Sequence, residues 1–105
     1  MAQFDVYVNP NAANREIFPY LVQIQSDQLS GFSTRLIMPL QRMKLKPDVL
    51  PRRLSQPIEI KGERLYPSAH FVAAILANLL KKPVTTVSAD RAVILDALDA
   101  VVSGV

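Results

Sequence analysis

The first half of the chain alternates between apolar and polar residues, the pattern of strands that bury one face. Phe4, Val6 and Val8 alternate with more polar neighbours in residues 3–8. The same period of two recurs in residues 20–25 after a break in which proline and asparagine favour a turn. Two antiparallel strands are therefore predicted here.

The segment from Thr34 to Leu40 is nearly all apolar, which predicts a central strand buried on both faces. Pro39 predicts a bend near its end, because proline cannot donate a hydrogen bond to a neighbouring strand. Further on, the run IEIKGERLY predicts a hairpin in which Lys61 and Gly62 form a tight turn. Hairpin-linked strands of this kind favour an antiparallel sheet or a small barrel.

The run HFVAAILANLLKK, residues 70–82, is compatible with two structures. Alanine and leucine favour a helix by intrinsic propensity, and the pattern alone favours that structure. However, the run is apolar almost all round, so its periodicity does not separate a buried helix from a buried strand.

The last segment predicts a helix over residues 89–102, with Ser88 as its N-cap. Asp96 and Asp99 fall on one stripe, while the remaining positions are mostly apolar. This apolar circumference exceeds what one sheet buries, so the helix lies within the core or faces a second chain. Gly104 follows at the position where a left-handed residue commonly ends a helix.

Length and composition predict one globular domain over residues 1–105. There is no cysteine, so neither disulfides nor a thiolate metal site is expected. The N-terminus lacks the features of a signal peptide, and no apolar run approaches the roughly 18 residues that cross a bilayer. A cytoplasmic protein without a membrane partner is expected.

Catalytic chemistry has little support in the sequence. His70 is the only histidine and is interpreted as a hydrogen-bonded structural residue. Ser26 and Asp27 follow a strand and are interpreted as loop caps rather than as a nucleophile with its carboxylate. No glycine-rich phosphate loop or metal-protease motif occurs. We therefore expect no enzyme, no catalytic residue, no metal and no cofactor.

A basic segment in the middle of the chain has two interpretations. Five positive charges occur within residues 42–53, and residues 42–46 alternate between basic and apolar side chains. Such charges bind a nucleic-acid backbone, or they protect a solvated edge strand from pairing with other chains. The edge strand is favoured because no aromatic residue interrupts the segment. The candidate nucleic-acid contacts are Arg42, Lys44, Arg52 and Arg53.

Several of these segments together resemble the CcdB family of toxins. The most specific are VQIQSD at residues 22–27 and RLIMPL at residues 35–40. Gln3-Phe4, Val6-Tyr7, Pro57-Ile58 and the final Ser103-Gly104-Val105 occur in the matching order, so the resemblance extends over essentially the whole chain.

The resemblance implies a fold and a function. The fold is mainly β: an SH3-like antiparallel barrel or sheet with a small β wing and a C-terminal α-helix, in which residues 72–76 form a strand. The implied function is a homodimeric toxin of a type II toxin–antitoxin system that binds the A subunit of DNA gyrase and traps its cleavage complex on DNA. A CcdA-like antitoxin neutralises such toxins, and only the toxin–antitoxin complex binds operator DNA to repress transcription.

The family contacts gyrase through a C-terminal Trp-Gly-Ile, which places the gyrase-binding residues here at Ser103, Gly104 and Val105. An indole buries about 150–250 Å², whereas a serine supplies no comparable apolar area. Two alternatives follow: a gyrase-inactive module that only binds antitoxin and operator, or a ribonuclease toxin resembling MazF that uses the basic segment.

Overall fold

The computed structural model describes residues 2–42 and 52–104 of the chain. They form seven strands and one α-helix: β1 (Asp5–Val8), β2 (Tyr20–Gln23), β3 (Thr34–Gln41), β4 (Ile58–Ile60), β5 (Glu63–Pro67), β6 (Ala73–Leu76), β7 (Thr85–Thr86) and α1 (Arg91–Ser103). The alternating segment predicted at residues 42–46 lies outside the described residues, apart from Arg42.

The strands form one antiparallel sheet in the order β4-β5-β3-β2-β1-β7, with β6 also paired to β3. One edge of β3 pairs with β2, and the other pairs first with β6 and then with β5. The sheet therefore curves into a nearly closed barrel carrying a C-terminal helix. The mainly β, SH3-like architecture expected from the sequence is confirmed.

The predicted central position of β3 is also confirmed. Ile37 pairs with Ala73 of β6, Leu40 pairs with Pro67 of β5, and Pro39 lies between them. The carbonyl of Pro39 accepts a hydrogen bond of 2.8 Å from the Ser68 N–H. Pro39, which has no N–H donor, thus lies where β3 changes from one partner strand to the next. At this position a hydrogen bond from its nitrogen to a neighbouring strand is not needed.

The two faces of the sheet carry different clusters of buried residues. One face packs against α1 and holds the larger core, which includes Val6, Val22, Met38, Leu40, Ile94 and Ala97. The opposite face carries Tyr7, Leu21, Ile37 and Leu80. Because side chains alternate along a strand, neighbouring residues of β1, β2 and β3 serve opposite faces.

The prediction of a helix in residues 70–82, based on propensity, is wrong. The strand implied there by the family resemblance is confirmed. This strand, β6, is flanked by the short 3₁₀ turns Ala69–Phe71 and Ala77–Leu79. Its residues pair with Thr34 to Ile37 of β3. Pairing with an available strand edge therefore outweighs the intrinsic preference for helix.

The expected helix start also needs correction. Ser88 begins a 3₁₀ turn, Ser88–Asp90, and Asp90 rather than Ser88 occupies the N-cap position of α1. The N–H of Asp90 donates to the carbonyl of Val87 over 2.8 Å, so the chain enters the helix through a tighter turn. Regular α-helix consequently begins at Arg91.

The predicted hairpin is present as β4 and β5, which extend from the end of β3 and correspond to the expected wing. Lys61 and Gly62 connect the strands with φ values of 52° and 81°. Two successive positive φ values are typical of a type I′ turn, whose twist suits a two-residue hairpin.

We expect Gly62→Ala to lower the free energy of unfolding by about 1 kcal/mol, because alanine disfavours a positive φ. A Cβ at this position would meet no atom within 4 Å, so the cost would come from the backbone alone. Urea unfolding would measure it. The control is Gly31→Ala, which is equally open but lacks a positive φ. Equal stabilities of the two variants would contradict the assigned turn.

Candidate functional site: the end of the C-terminal helix and a groove on the opposite face

The C-terminal helix ends at Ser103, one residue beyond the predicted end, and Gly104 caps it as the sequence predicts. Gly104 adopts the left-handed conformation, with φ 72° and ψ 19°, and its N–H donates to the carbonyl of Ala100 over 3.1 Å. This geometry caps the helix and is easiest for glycine. Val105, the third predicted contact residue, lies outside the described residues.

Ser103, the first of the predicted contact residues, forms a hydrogen bond within its own helix. Its hydroxyl donates to the carbonyl of Asp99 over 2.7 Å. The side chain is exposed, but its proton is directed back towards the preceding turn. Ser103 thus offers a partner little apolar area.

Only one side of α1 packs against the sheet, through Ile94, Ala97 and Ala100. Leu95 is 44% exposed and Val102 is 77% exposed, and their spacing of seven residues places them along one line of the helix. We call Leu95 and Val102 the terminal stripe. A helix enclosed in the core of one chain is therefore excluded, while an apolar surface remains available beside the C-terminus.

An arginine from the basic segment lies against the polar stripe of α1. Nη2 of Arg53 is 3.1 Å from Oδ1 of Asp96 and 2.6 Å from Oδ2 of Asp99. The hydrogen bond with Asp99 is the main cause of a raised pKa for Arg53; Asp96 acts in the same direction and desolvation opposes both. Arg53 thus joins the 3₁₀ turn Arg52–Leu54 to the helix.

The other candidate nucleic-acid contacts are not brought together with Arg53 in the described residues. Arg42 lies 2.5 Å from a carboxylate oxygen of Glu63 and donates to the carbonyl of Glu16 over 3.0 Å. Arg52 is exposed, and Lys44 lies outside the described residues. Both Arg42 and Arg53 thus have acidic partners within the fold.

The residues considered for catalysis have structural roles or are isolated. Ser26 accepts a hydrogen bond from the Gln28 N–H, as expected for a loop cap, whereas Asp27 accepts one of 2.8 Å from the N–H of Gln3, which is distant in the sequence. His70 is exposed, with its ring centroid 4.2 Å from that of Phe71, and its side chain forms none of the hydrogen bonds found among residues 2–42 and 52–104, so the expected hydrogen-bonded role is not observed there. Among residues 2–42 and 52–104, no group of three acidic, histidine or cysteine residues could hold a metal.

Sequence reasoning missed a groove of about 580 Å³ on the sheet face that α1 does not cover. Its walls are mainly apolar and come from segments distant in sequence: Phe18, Leu21, Ile37, Phe71, Ile75 and Leu79, together with the polar Asn9, Asn11 and Asn14. A smaller depression shares Asn9 and Leu79 with it and adds three basic residues, Arg15, Lys81 and Lys82. The combined surface, which we call the basic-rimmed groove, has an apolar floor and a positive edge.

The same face contains buried polar side chains. Arg35 donates to the backbone carbonyls of Ser30, Phe32 and Thr34, which fixes the loop before β3. The Tyr7 hydroxyl is buried and makes no hydrogen bond with any residue in the described ranges. Desolvation raises the pKa of Tyr7, Asp5 adds to this effect, and Arg35 opposes it.

The nearly closed barrel, its C-terminal helix and the outward helix end define a small SH3-like protein. The family described as CcdB protein matches residues 3–104 of this chain. The chain therefore belongs to the CcdB family, and membership implies a toxin of a toxin–antitoxin system that acts on gyrase. The curated proteins contain no match to the chain.

Within the described parts of the chain, no helix has the length and apolar character needed to span a bilayer.

We expect Tyr7→Phe to change the free energy of unfolding at neutral pH by less than about 1 kcal/mol, since it removes a buried hydroxyl without a partner. The folded state holds the phenolic proton more tightly than the unfolded chain. The contribution of the protonated Tyr7 to the free energy of unfolding is therefore complete below the ordinary pKa of 10.0. It is lost as pH rises towards the higher folded-state pKa. Urea unfolding across alkaline pH should show a smaller loss of stability in Tyr7→Phe than in the wild type. Parallel losses would contradict the raised pKa.

Proposed function

We propose that this chain poisons DNA gyrase by binding the gyrase A subunit and trapping the enzyme's cleavage complex on DNA. The observation that carries the proposal is the outward end of α1, where Gly104 caps the helix and Val102 is 77% exposed beside it. A fixed, exposed apolar element is suited to a partner's surface, because little conformational freedom is lost on binding.

The contact residues in this proposal are Ser103, Gly104 and Val105, supported by the terminal stripe. With serine in place of the indole, the apolar contact area shifts to Val102, less than one turn before the terminus, and Leu95, nearly three turns before it. The toxin acts as a homodimer in this proposal. It acts in the cytoplasm, where gyrase and its DNA are found.

A CcdA-like antitoxin neutralises the toxin in this proposal, and the pair represses its operon by binding operator DNA as a complex. The basic-rimmed groove supports the antitoxin part. Its floor suits apolar side chains, while Arg15, Lys81 and Lys82 suit acidic ones. An amphipathic acidic segment is the partner that matches both features.

Purified protein incubated with gyrase, ATP and supercoiled plasmid should yield linear DNA after detergent and protease treatment. Deletion of residues 103–105 should abolish this product while leaving urea unfolding unchanged. Ser103→Trp should lower the protein concentration needed by about ten-fold or more, because it restores an aromatic anchor. The matched control is Gln56→Trp, which adds an indole at an exposed position elsewhere.

A folded truncation that still linearises the plasmid would refute the proposed contact. No linear DNA from the wild type at high concentration would favour the gyrase-inactive binding module. RNA cleavage by the purified protein, lost on replacing Arg52 and Arg53, would favour the ribonuclease.

The groove assignment predicts selective peptide binding. A helical peptide with leucine on one face and glutamate on the other should bind, and Lys81→Glu with Lys82→Glu should weaken it about five-fold through lost rim charges. Isothermal titration calorimetry would measure the affinities, with Lys61→Glu on the distant hairpin as the control. Equal binding of the same peptide with lysine in place of glutamate would contradict the assignment.

A further inference from the structure

One guanidinium joins two carboxylates on a single face of α1. Arg53 Nη2 contacts Asp96 at 3.1 Å and Asp99 at 2.6 Å. Residues three apart in a helix are neighbours on its surface, so one side chain can contact both. This contact links the Arg52–Leu54 turn to the polar stripe of the helix, while Leu54 of the same turn belongs to the buried core with Ile94 and Ala97.

One of the two residues that Arg53 contacts, Asp99, also takes part in the hydrogen bonds of the last helical turn. The carbonyl of Asp99 accepts the Ser103 hydroxyl at 2.7 Å, and the carbonyl of the next residue, Ala100, accepts the Gly104 N–H at 3.1 Å. Ala100 is the final buried side chain of α1, and Val102, Ser103 and Gly104 are all exposed. Apolar packing therefore ends before the terminus that the proposed function assigns to gyrase.

Exposed ion pairs usually stabilise a fold little, because water already solvates both charges and salt screens them. The side chains of Asp96 and Asp99 are 51% and 62% exposed. A guanidinium shared by two residues of one turn has a geometric effect instead: it restricts rotation of the helix about its axis. That rotation determines the direction in which the terminal stripe and the last turn point.

We propose that Arg53 is a positioning residue for the C-terminal anchor, acting through Asp96 and Asp99. This inference rests on the proposed function. It replaces the nucleic-acid role that the sequence allows for Arg53 with a role inside the toxin. It also assigns a function to the two acidic residues on a helix that is otherwise mostly apolar.

The test compares Arg53→Met with Arg64→Met, a control that removes an exposed arginine from the wing. Arg53→Met should raise the concentration needed for plasmid linearisation about ten-fold, with an unchanged urea midpoint, and Arg64→Met should match the wild type. Arg53→Lys should also lose most of the plasmid-linearising activity, since one ammonium group lacks the planar fork of a guanidinium. Full activity of Arg53→Met, or an activity loss that parallels a lower urea midpoint, would overturn the proposal.

A double-mutant cycle separates positioning from direct contact. In a background of Asp96→Asn and Asp99→Asn, Arg53→Met should cause no further loss of poisoning, because its route to the terminus is already removed. Additive losses would show that Arg53 contacts gyrase or DNA itself and would overturn the proposal.

Amide hydrogen exchange provides a readout that does not depend on gyrase. Arg53→Met should speed exchange at Gly104, whose N–H caps the last turn, and leave Ala97 unchanged. If the wild type yields no linear DNA, the proposed function fails while the exchange result still decides whether Arg53 orders the terminus. Unchanged exchange at Gly104 would overturn the positioning role.

Discussion

The central strand β3 is the element on which both candidate surfaces depend. It pairs with β2 along one edge and with β6 and then β5 along the other. Its alternating residues send Met38 and Leu40 towards α1 and Ile37 towards the basic-rimmed groove. A register shift of one residue would exchange these two sets, so the pairing of β3 fixes the helix and the groove together.

This arrangement separates the two proposed contacts of the toxin. The terminal stripe belongs to the helix on one face of the sheet, and the basic-rimmed groove lies on the other. In the proposed function, antitoxin and gyrase therefore meet largely different residues. The buried side chains of Arg35 and Tyr7 lie on the groove side of the sheet, where Arg35 holds the loop before β3 through its hydrogen bonds to backbone carbonyls.

Ser103 in the last turn of α1 affects which side chains the helix end offers to a partner. The Ser103 hydroxyl is used within the helix, so exposed apolar area is left to Val102 and Leu95. Small contacts of this kind depend strongly on orientation, because little buried area is available to compensate for misalignment. Arg53 is proposed to supply that orientation from a segment whose charge pattern, taken alone, indicates a solvated edge or a nucleic-acid contact.

Short-range physics made several features predictable from the sequence alone. The period of two identified β1, β2 and the wing hairpin, and the positive φ open to glycine identified the turn at Gly62 and the helix cap at Gly104. The family segments implied a strand in residues 72–76 and contacts at Ser103, Gly104 and Val105, of which the strand is confirmed.

Only the tertiary structure decided the features that depend on residues distant in the chain. The edge of β3 overrode the helical propensity of residues 73–76, and the barrel brought together the walls of the groove. Arg53 meets carboxylates 43 and 46 residues away, a distance over which no local pattern operates. Backbone preferences act between neighbours, whereas ion pairs and grooves exist only after the sheet has fixed which segments are adjacent in space.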